Sequence, residues 1–273
     1  MSLVVLMSAS GSPGVTTSAL GLALTWDRQV MLVEADPTGG SAIAAGYLRG
    51  AVVPPESMIE LALAQQDGAV LRRLPAVSAA LPGTQVQWVA GTRSHEQARS
   101  LVPLWDPLAG AFRTLDSTSM DVIVDAGRLG LYGSPGPVIE SADLALLVIR
   151  SDLVSLAGAR SWAETLRDRF ARNGASNSLG VLLVGAGDPF RAPEVARVLR
   201  LPVVSTVSFE RDQAAVLSHG AQPPRAGLLH RLTGRSGWES SALMGSLRAA
   251  RSSIRGTLRD NSAQLLRAGR EQT

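Results

Sequence analysis

The chain has 273 residues, of which 45% are hydrophobic and 18% charged, with a formal net charge of +3. That is enough apolar content for one large α/β core and too little charge for a disordered protein. The absence of Cys excludes disulfide frameworks, thiolate metal sites and Cys nucleophiles. All 26 basic residues are arginine, so no site can draw on a lysine of its own chain.

In chain order, LVVLMS (3–8) reads as a buried strand. A glycine loop follows it directly and its own residues include no basic segment, so it is expected to be a core strand and neither a signal peptide nor a membrane span. SGSPG (10–14) is a loop, and Thr16 to Thr25 is a helix of small residues. VMLVEAD (30–36) is the next strand and ends in a Pro-containing turn. A helix is expected over 57–65, a strand at VQWVAG (86–91), and a helix over 96–115 interrupted near Pro103 and Pro107. MDVIVDAG (120–127) and LALLVIRS (144–151) are strands, followed by a helix over 156–170. LGVLLVGAG (179–187) is a strand, PEVARVL (193–199) a short helix, VVSTVSF (203–209) a strand, and 211–218 a last short helix.

Short apolar strands alternating with helices predict an α/β three-layer sandwich around a mostly parallel sheet. No boundary interrupts the βα units before about residue 220. The expected organisation is one domain over 1–220, a loop over 221–240, an amphipathic helix over 241–262 packed on that domain, and a flexible tail over 263–273. Leu243, Leu247, Ile254 and Leu258 share one face of this helix, with Arg248, Arg251, Arg255 and Arg259 beside or opposite. From residue 225 onward nine arginines face three acids, so an arginine-faced contact with membrane or nucleic acid stands beside simple packing with a solvated Arg side.

Gly11, Ser12, Pro13, Gly14, Val15, Thr16 and Thr17 lie between a strand and a helix. Backbone N–H groups of such a turn and of the helix N-terminus form a cradle for phosphate oxygens, which glycine lets the ligand approach. Thr16 is positioned to ligate Mg²⁺ and Thr17 to contact a phosphate. The lysine that ordinarily precedes that Thr is Val15 here. The same residues also make a good turn and helix cap. Asp36 ends the second strand region in EADPTGG, and Asp125 ends the run Val122-Ile123-Val124, both at the carboxyl edge where open α/β sheets bind ligands. Asp125 stands where a carboxylate holds Mg²⁺, usually through water; either acid also suits a cap.

This order of strand, glycine loop, Thr-Thr helix, strand with DPTGG and strand with Asp resembles the deviant-Walker P-loop ATPases of the ParA and MinD family. It looks closest to their actinobacterial relatives and to the CpaE or TadZ proteins of pilus assembly. The resemblance covers about residues 1–220 and implies a P-loop NTPase fold with ATP or ADP and Mg²⁺ as cofactors. It implies that Gly11, Ser12, Gly14, Val15, Thr16 and Thr17 surround the phosphates, and that Thr16 and Asp125 meet Mg²⁺. Asp36 would lie in the first switch and orient the attacking water, Gly127 would begin the second switch, and Pro189-Phe190 would lie near the purine.

The departures concern charge. The family's signature lysine, which reaches the other subunit's phosphate, aligns with Ser10, and the ordinary loop lysine with Val15. Losing charge aimed at the transferring phosphoryl group costs catalysis more than binding. Arg128 and Arg150 are candidate substitutes. His95, His219 and His230 lack metal-ligand spacing, and no serine sits in a G-x-S-x-G elbow.

The resemblance therefore implies a degenerate, cytoplasmic, dimerising positioning or scaffold factor for a pilus, secretion or partitioning machine, peripheral at the inner membrane face or the cell pole. Its ATP binding would be weak or absent and its hydrolysis slight. Two alternatives stand beside it. One is a slow Mg²⁺-dependent ATPase using arginine, or a lysine-bearing homologue in a heterodimer. The other is a nucleotide-independent scaffold with a collapsed loop and Val15 packed inward.

Overall fold

The computed structural model describes residues 1–54, 56–115, 120–223 and 237–271. Among the described residues the sheet has eight strands in the order β3-β4-β2-β5-β1-β6-β7-β8. These are β1 (Leu3–Ser8), β2 (Val30–Glu34), β3 (Ala79–Ala80), β4 (Gln87–Val89), β5 (Asp121–Arg128), β6 (Leu144–Arg150), β7 (Leu179–Val184) and β8 (Val203–Val207). Only the two-residue β3 runs antiparallel to its neighbour; the other pairs are parallel. Every residue of β1, β2 and β7 is buried. Helices cover both faces of such strands, which is why they read as unbroken apolar runs.

Two apolar clusters fill the two sides. One lies under α2 (Met58–Gln65), α3 (Val70–Val77), α4 (Trp105–Thr114), α5 (Gly136–Glu140), α6 (Leu153–Arg172) and α7 (Ala192–Leu199). The other lies under α1 (Val15–Thr25), α8 (Arg211–Ser218) and α9 (Ala242–Glu271). A Cβ on Gly21 of α1 would meet Leu247 Cδ1 at 2.5 Å, so glycine is what lets α9 seat this closely.

Several elements depart from expectation. The second strand ends at Glu34, leaving Asp36 in the following turn. The 96–115 segment divides at Leu104 into a 3₁₀ stretch, His95–Leu104, and α4. Pro107 does not break it, because it lies in the first turn of α4, where no partner for its missing N–H is required. Helix α9 runs to Glu271, well past residue 262 and through the expected tail. Contacts hold its far end: Asn261 Nδ2 donates to the Asn177 carbonyl at 2.9 Å, and Asn177 Nδ2 to Gln264 Oε1 at 2.7 Å. Most of the 221–240 loop lies outside the described residues, as does His230. No described helix is long and apolar enough to cross a membrane.

Register positions the site. Leu6 pairs with both Asp125 and Leu146, and Glu34 pairs with Asp125. The carboxyl ends of β1, β2 and β5 are therefore level, and the loops after them gather at one edge of the sheet.

Candidate functional site

The loop after β1 keeps its glycine geometry. Gly11 has φ +65°, and Gly14 has φ +98° as the residue capping α1. As a glycine it makes no side-chain cap hydrogen bond, and the first-turn N–H groups of such a helix end suit an anion. A Cβ added at Gly11 would meet nothing within 4 Å.

Val15 is only 7% exposed and belongs to the apolar cluster that includes Ala19, Leu20 and Val184. An uncharged branched side chain at this position gains by leaving water, whereas a lysine would lose. At the other missing lysine, Ser10 packs against Gly158 of α6 so closely that a Cβ there would overlap its hydroxyl.

Thr16 and Asp125 are brought together. The Thr16 hydroxyl donates to the Asp125 carboxylate, and Gly127 N–H donates to Asp125 Oδ1 at 3.0 Å. Asp125 is 2% exposed, and burial pushes its pKa up to about 7. The Thr16 and Gly127 hydrogen bonds oppose that rise, while the charges of Asp36 and Glu34 add to it. Asp36 sits against Gly127 and accepts from Thr38 N–H at 2.9 Å through Oδ1. The two switch positions expected from the sequence are thus in contact.

Glu34 has a part that sequence reasoning missed. It is 4% exposed at the end of β2 and accepts four hydrogen bonds: from Ser41 Oγ at 2.6 Å, Trp88 Nε1 at 3.0 Å, Ile43 N–H at 3.2 Å and Gly91 N–H at 3.4 Å. Burial raises its pKa, and those donors pull it back. One carboxylate so anchors the segment after Asp36 to β4. The available signal was an acid at the end of an otherwise apolar strand.

A cavity of about 390 Å³ opens beside the cradle, lined by Ser12, Gly14 and Thr17 on one side and by Phe209, Arg211 and Leu247 on the other. Pro189 and Phe190 do not line it; Phe190 packs with the cluster on the opposite face of the sheet. The aromatic at the cavity is Phe209, with the Arg150 guanidinium 4.0 Å and the Arg211 guanidinium 5.6 Å from its ring centre. Arg150 also lies 3.6 Å from Asp152. Arg128 is exposed at the end of β5, and of the three arginines only Arg211 lines the cavity.

The residues present fit a phosphate by backbone shape but not by lysine charge. Among the described residues no three His, Cys, Asp or Glu side chains are arranged to hold a metal ion. A divalent cation here would rest on the adjacent Thr16 and Asp125 together with phosphate and water oxygens, a set suited to Mg²⁺.

No protein-family model matches the chain, and no curated protein matches its sequence. Solved structures do match its fold. A ParA family ATPase from Chlorobium tepidum superimposes with a TM-score of 0.67 at 15% identity, over 92% of this chain and 98% of that one. The septum site-determining protein MinD complexed with Mg-ADP from Pyrococcus horikoshii gives 0.66 at 14%, over 93% and 95%. The MinC:MinD cell division protein complex from Aquifex aeolicus gives 0.65 at 12%, over 94% and 96%. At these identities the agreement is one of architecture, and the chain has the α/β P-loop NTPase fold of the ParA and MinD ATPases.

Proposed function

We propose that this chain is a nucleotide-responsive positioning protein that holds ATP or ADP mainly through backbone donors and hydrolyses it slowly or not at all. One observation carries the reading: the left-handed Gly14 leaves the N-terminus of α1 uncapped and open onto an apolar cavity. A loop that had become mere structure would fill that space. Gly11, Ser12, Gly14 and the first turn of α1 would cradle phosphates, Thr17 would contact one, and Phe209 with Leu247 would cover the apolar part of the ligand. Thr16 and Asp125 would hold Mg²⁺, which when bound supplies positive charge at the phosphates. Asp36, against Gly127, would orient water.

Turnover is expected to be slight. Fixed charge on the transferring group is the largest single contribution to phosphoryl transfer, and neither Val15 nor Ser10 offers any. Arg211 is the nearest substitute by position, since it lines the same cavity. A lysine-bearing homologue supplying the charge across a dimer is the other route. The dimer would work with a pilus, secretion or partitioning machine, at the inner membrane face or the cell pole. The scaffold reading draws on one observation, the inward Val15.

Calorimetric titration with ATP and with ADP, each with and without Mg²⁺, tests the reading. Magnesium-dependent uptake of ATP is expected. No heat and no thermal stabilisation at millimolar nucleotide would leave the scaffold.

A further inference from the structure

Away from the phosphate loop, α6 and α7 meet over a cleft of about 370 Å³. Arg160, Glu164 and Arg167 line it from α6, and Arg197, Val198 and Arg200 from the end of α7. It shares no lining residue with the cavity beside Gly14.

The charge in this cleft is unbalanced. Among the described residues none of its four arginines makes an ion pair, although Arg169 on the same helix pairs with Glu140 at 3.4 Å. Arg197 and Arg200 stand at the C-terminal end of α7, where the helix dipole favours cations. That account does not reach Arg160 and Arg167, which lie within the twenty-residue α6 on the face they share with Glu164. Four guanidiniums around one carboxylate leave a net charge of +3 along the cleft, where Arg167 is half-buried and the other charged side chains are exposed.

We propose that this cleft docks an acidic peptide segment of a partner protein, with carboxylates on the guanidiniums and an apolar side chain on Val198, which is 49% exposed. The guanidinium fork matches a carboxylate in two parallel hydrogen bonds, and arginine is the charged residue enriched at protein interfaces. Two features favour a peptide over a nucleic acid. Glu164 would face an evenly charged phosphodiester between Arg160 and Arg167, whereas carboxylates on a peptide can be spaced around it. Val198 offers a phosphate nothing, but gives an aliphatic side chain a surface to cover.

The test uses the full chain and fluorescence anisotropy with a labelled peptide of Asp and Glu flanking a Leu. A short duplex DNA and tripolyphosphate serve as competing probes. The peptide should bind at low salt, and Arg160→Ala with Arg197→Ala should weaken it about tenfold, as two exposed ion pairs would. Glu164→Gln should tighten it a fewfold, a gain that damage to the fold would not produce. Val198→Asp should weaken it. A peptide that does not bind, or binds the double variant equally well, overturns the proposal. Binding of duplex or tripolyphosphate that the peptide cannot displace also overturns it, assigning the cleft to phosphate ligands.

Discussion

The carboxyl group of Asp36 occupies the space where a side chain at Gly127 would begin. The first turn after β2 and the last residues of β5 are therefore in direct contact, and glycine is the only residue that permits it. Gly127 also has φ +61°, a left-handed backbone that a Cβ disfavours. Gly127→Ala is expected to cost about 1–3 kcal/mol and lower the melting midpoint by several degrees. It should also push Asp36 away from Asp125. An unchanged midpoint would show that the contact carries no constraint.

Asp125 should make the stability of the metal-free protein depend on pH. Its pKa is raised to about 7 in the folded chain, so the folded state holds the proton more tightly than the unfolded state does. The stabilisation from this group is then complete at low pH, below the unfolded value. It is lost as pH rises toward about 7 and absent above that. Asp125→Asn, which stays neutral, should flatten the profile between the ordinary carboxylate value of 3.8 and about 7 and gain about 1–3 kcal/mol at the upper end. Denaturant unfolding with chelator present measures it, and a variant that tracks the parent across that range removes Asp125 as the cause.

Restoring the loop lysine separates shape from charge. Val15→Lys places an amine in an apolar cluster and should cost about 1–3 kcal/mol without ligand. If the cradle is competent, ATP with Mg²⁺ should raise the midpoint of this variant by more than it raises that of the parent chain. The readout is a pair of thermal melts for each protein. A variant that nucleotide does not stabilise would mean that the backbone no longer presents its donors.

Helix α9 should behave as part of the core. Leu247 is fully buried between α9 and α1 and lines the cavity beside Gly14. Leu247→Ala should cost about 2–5 kcal/mol, as other buried leucines do when truncated. Arg259→Ala, on the exposed side, should stay within about 0.5 kcal/mol. Arg251 is a different matter, since its Nη1 donates to the Thr25 carbonyl at 2.6 Å and ties the helix to α1. Urea denaturation of the set would rank them; equal losses at Leu247 and Arg259 would contradict the packing.

Much of the architecture is legible along the chain because it depends on local pattern. Unbroken apolar strands such as LGVLLV, separated by helices, specify a parallel sheet covered on both faces. The spacing of Leu243, Leu247, Ile254 and Leu258 marks one face of a helix. Whether that face meets a bilayer or the protein's own sheet is a different question, because both offer the same release from water. The sheet takes it, and all four residues are buried. The extent of α9 was less legible, since Asn261 and Gln264 are held by Asn177, a residue more than eighty positions earlier.

By itself, the sequence determined that strand, glycine loop and helix follow one another, that acids stand near the ends of two strands, and that no lysine is present. These are properties of residue identity and short-range spacing. Only the tertiary structure decided that Phe209 lines the cavity while Phe190 packs on the other face, that Glu34 anchors the segment after Asp36, and that Val15 turns into the core. An apolar side chain is equally satisfied on either side of a covered sheet, because hydrophobic burial has no direction. The choice falls to register and to the path of the crossovers, and these are set between segments far apart in the chain.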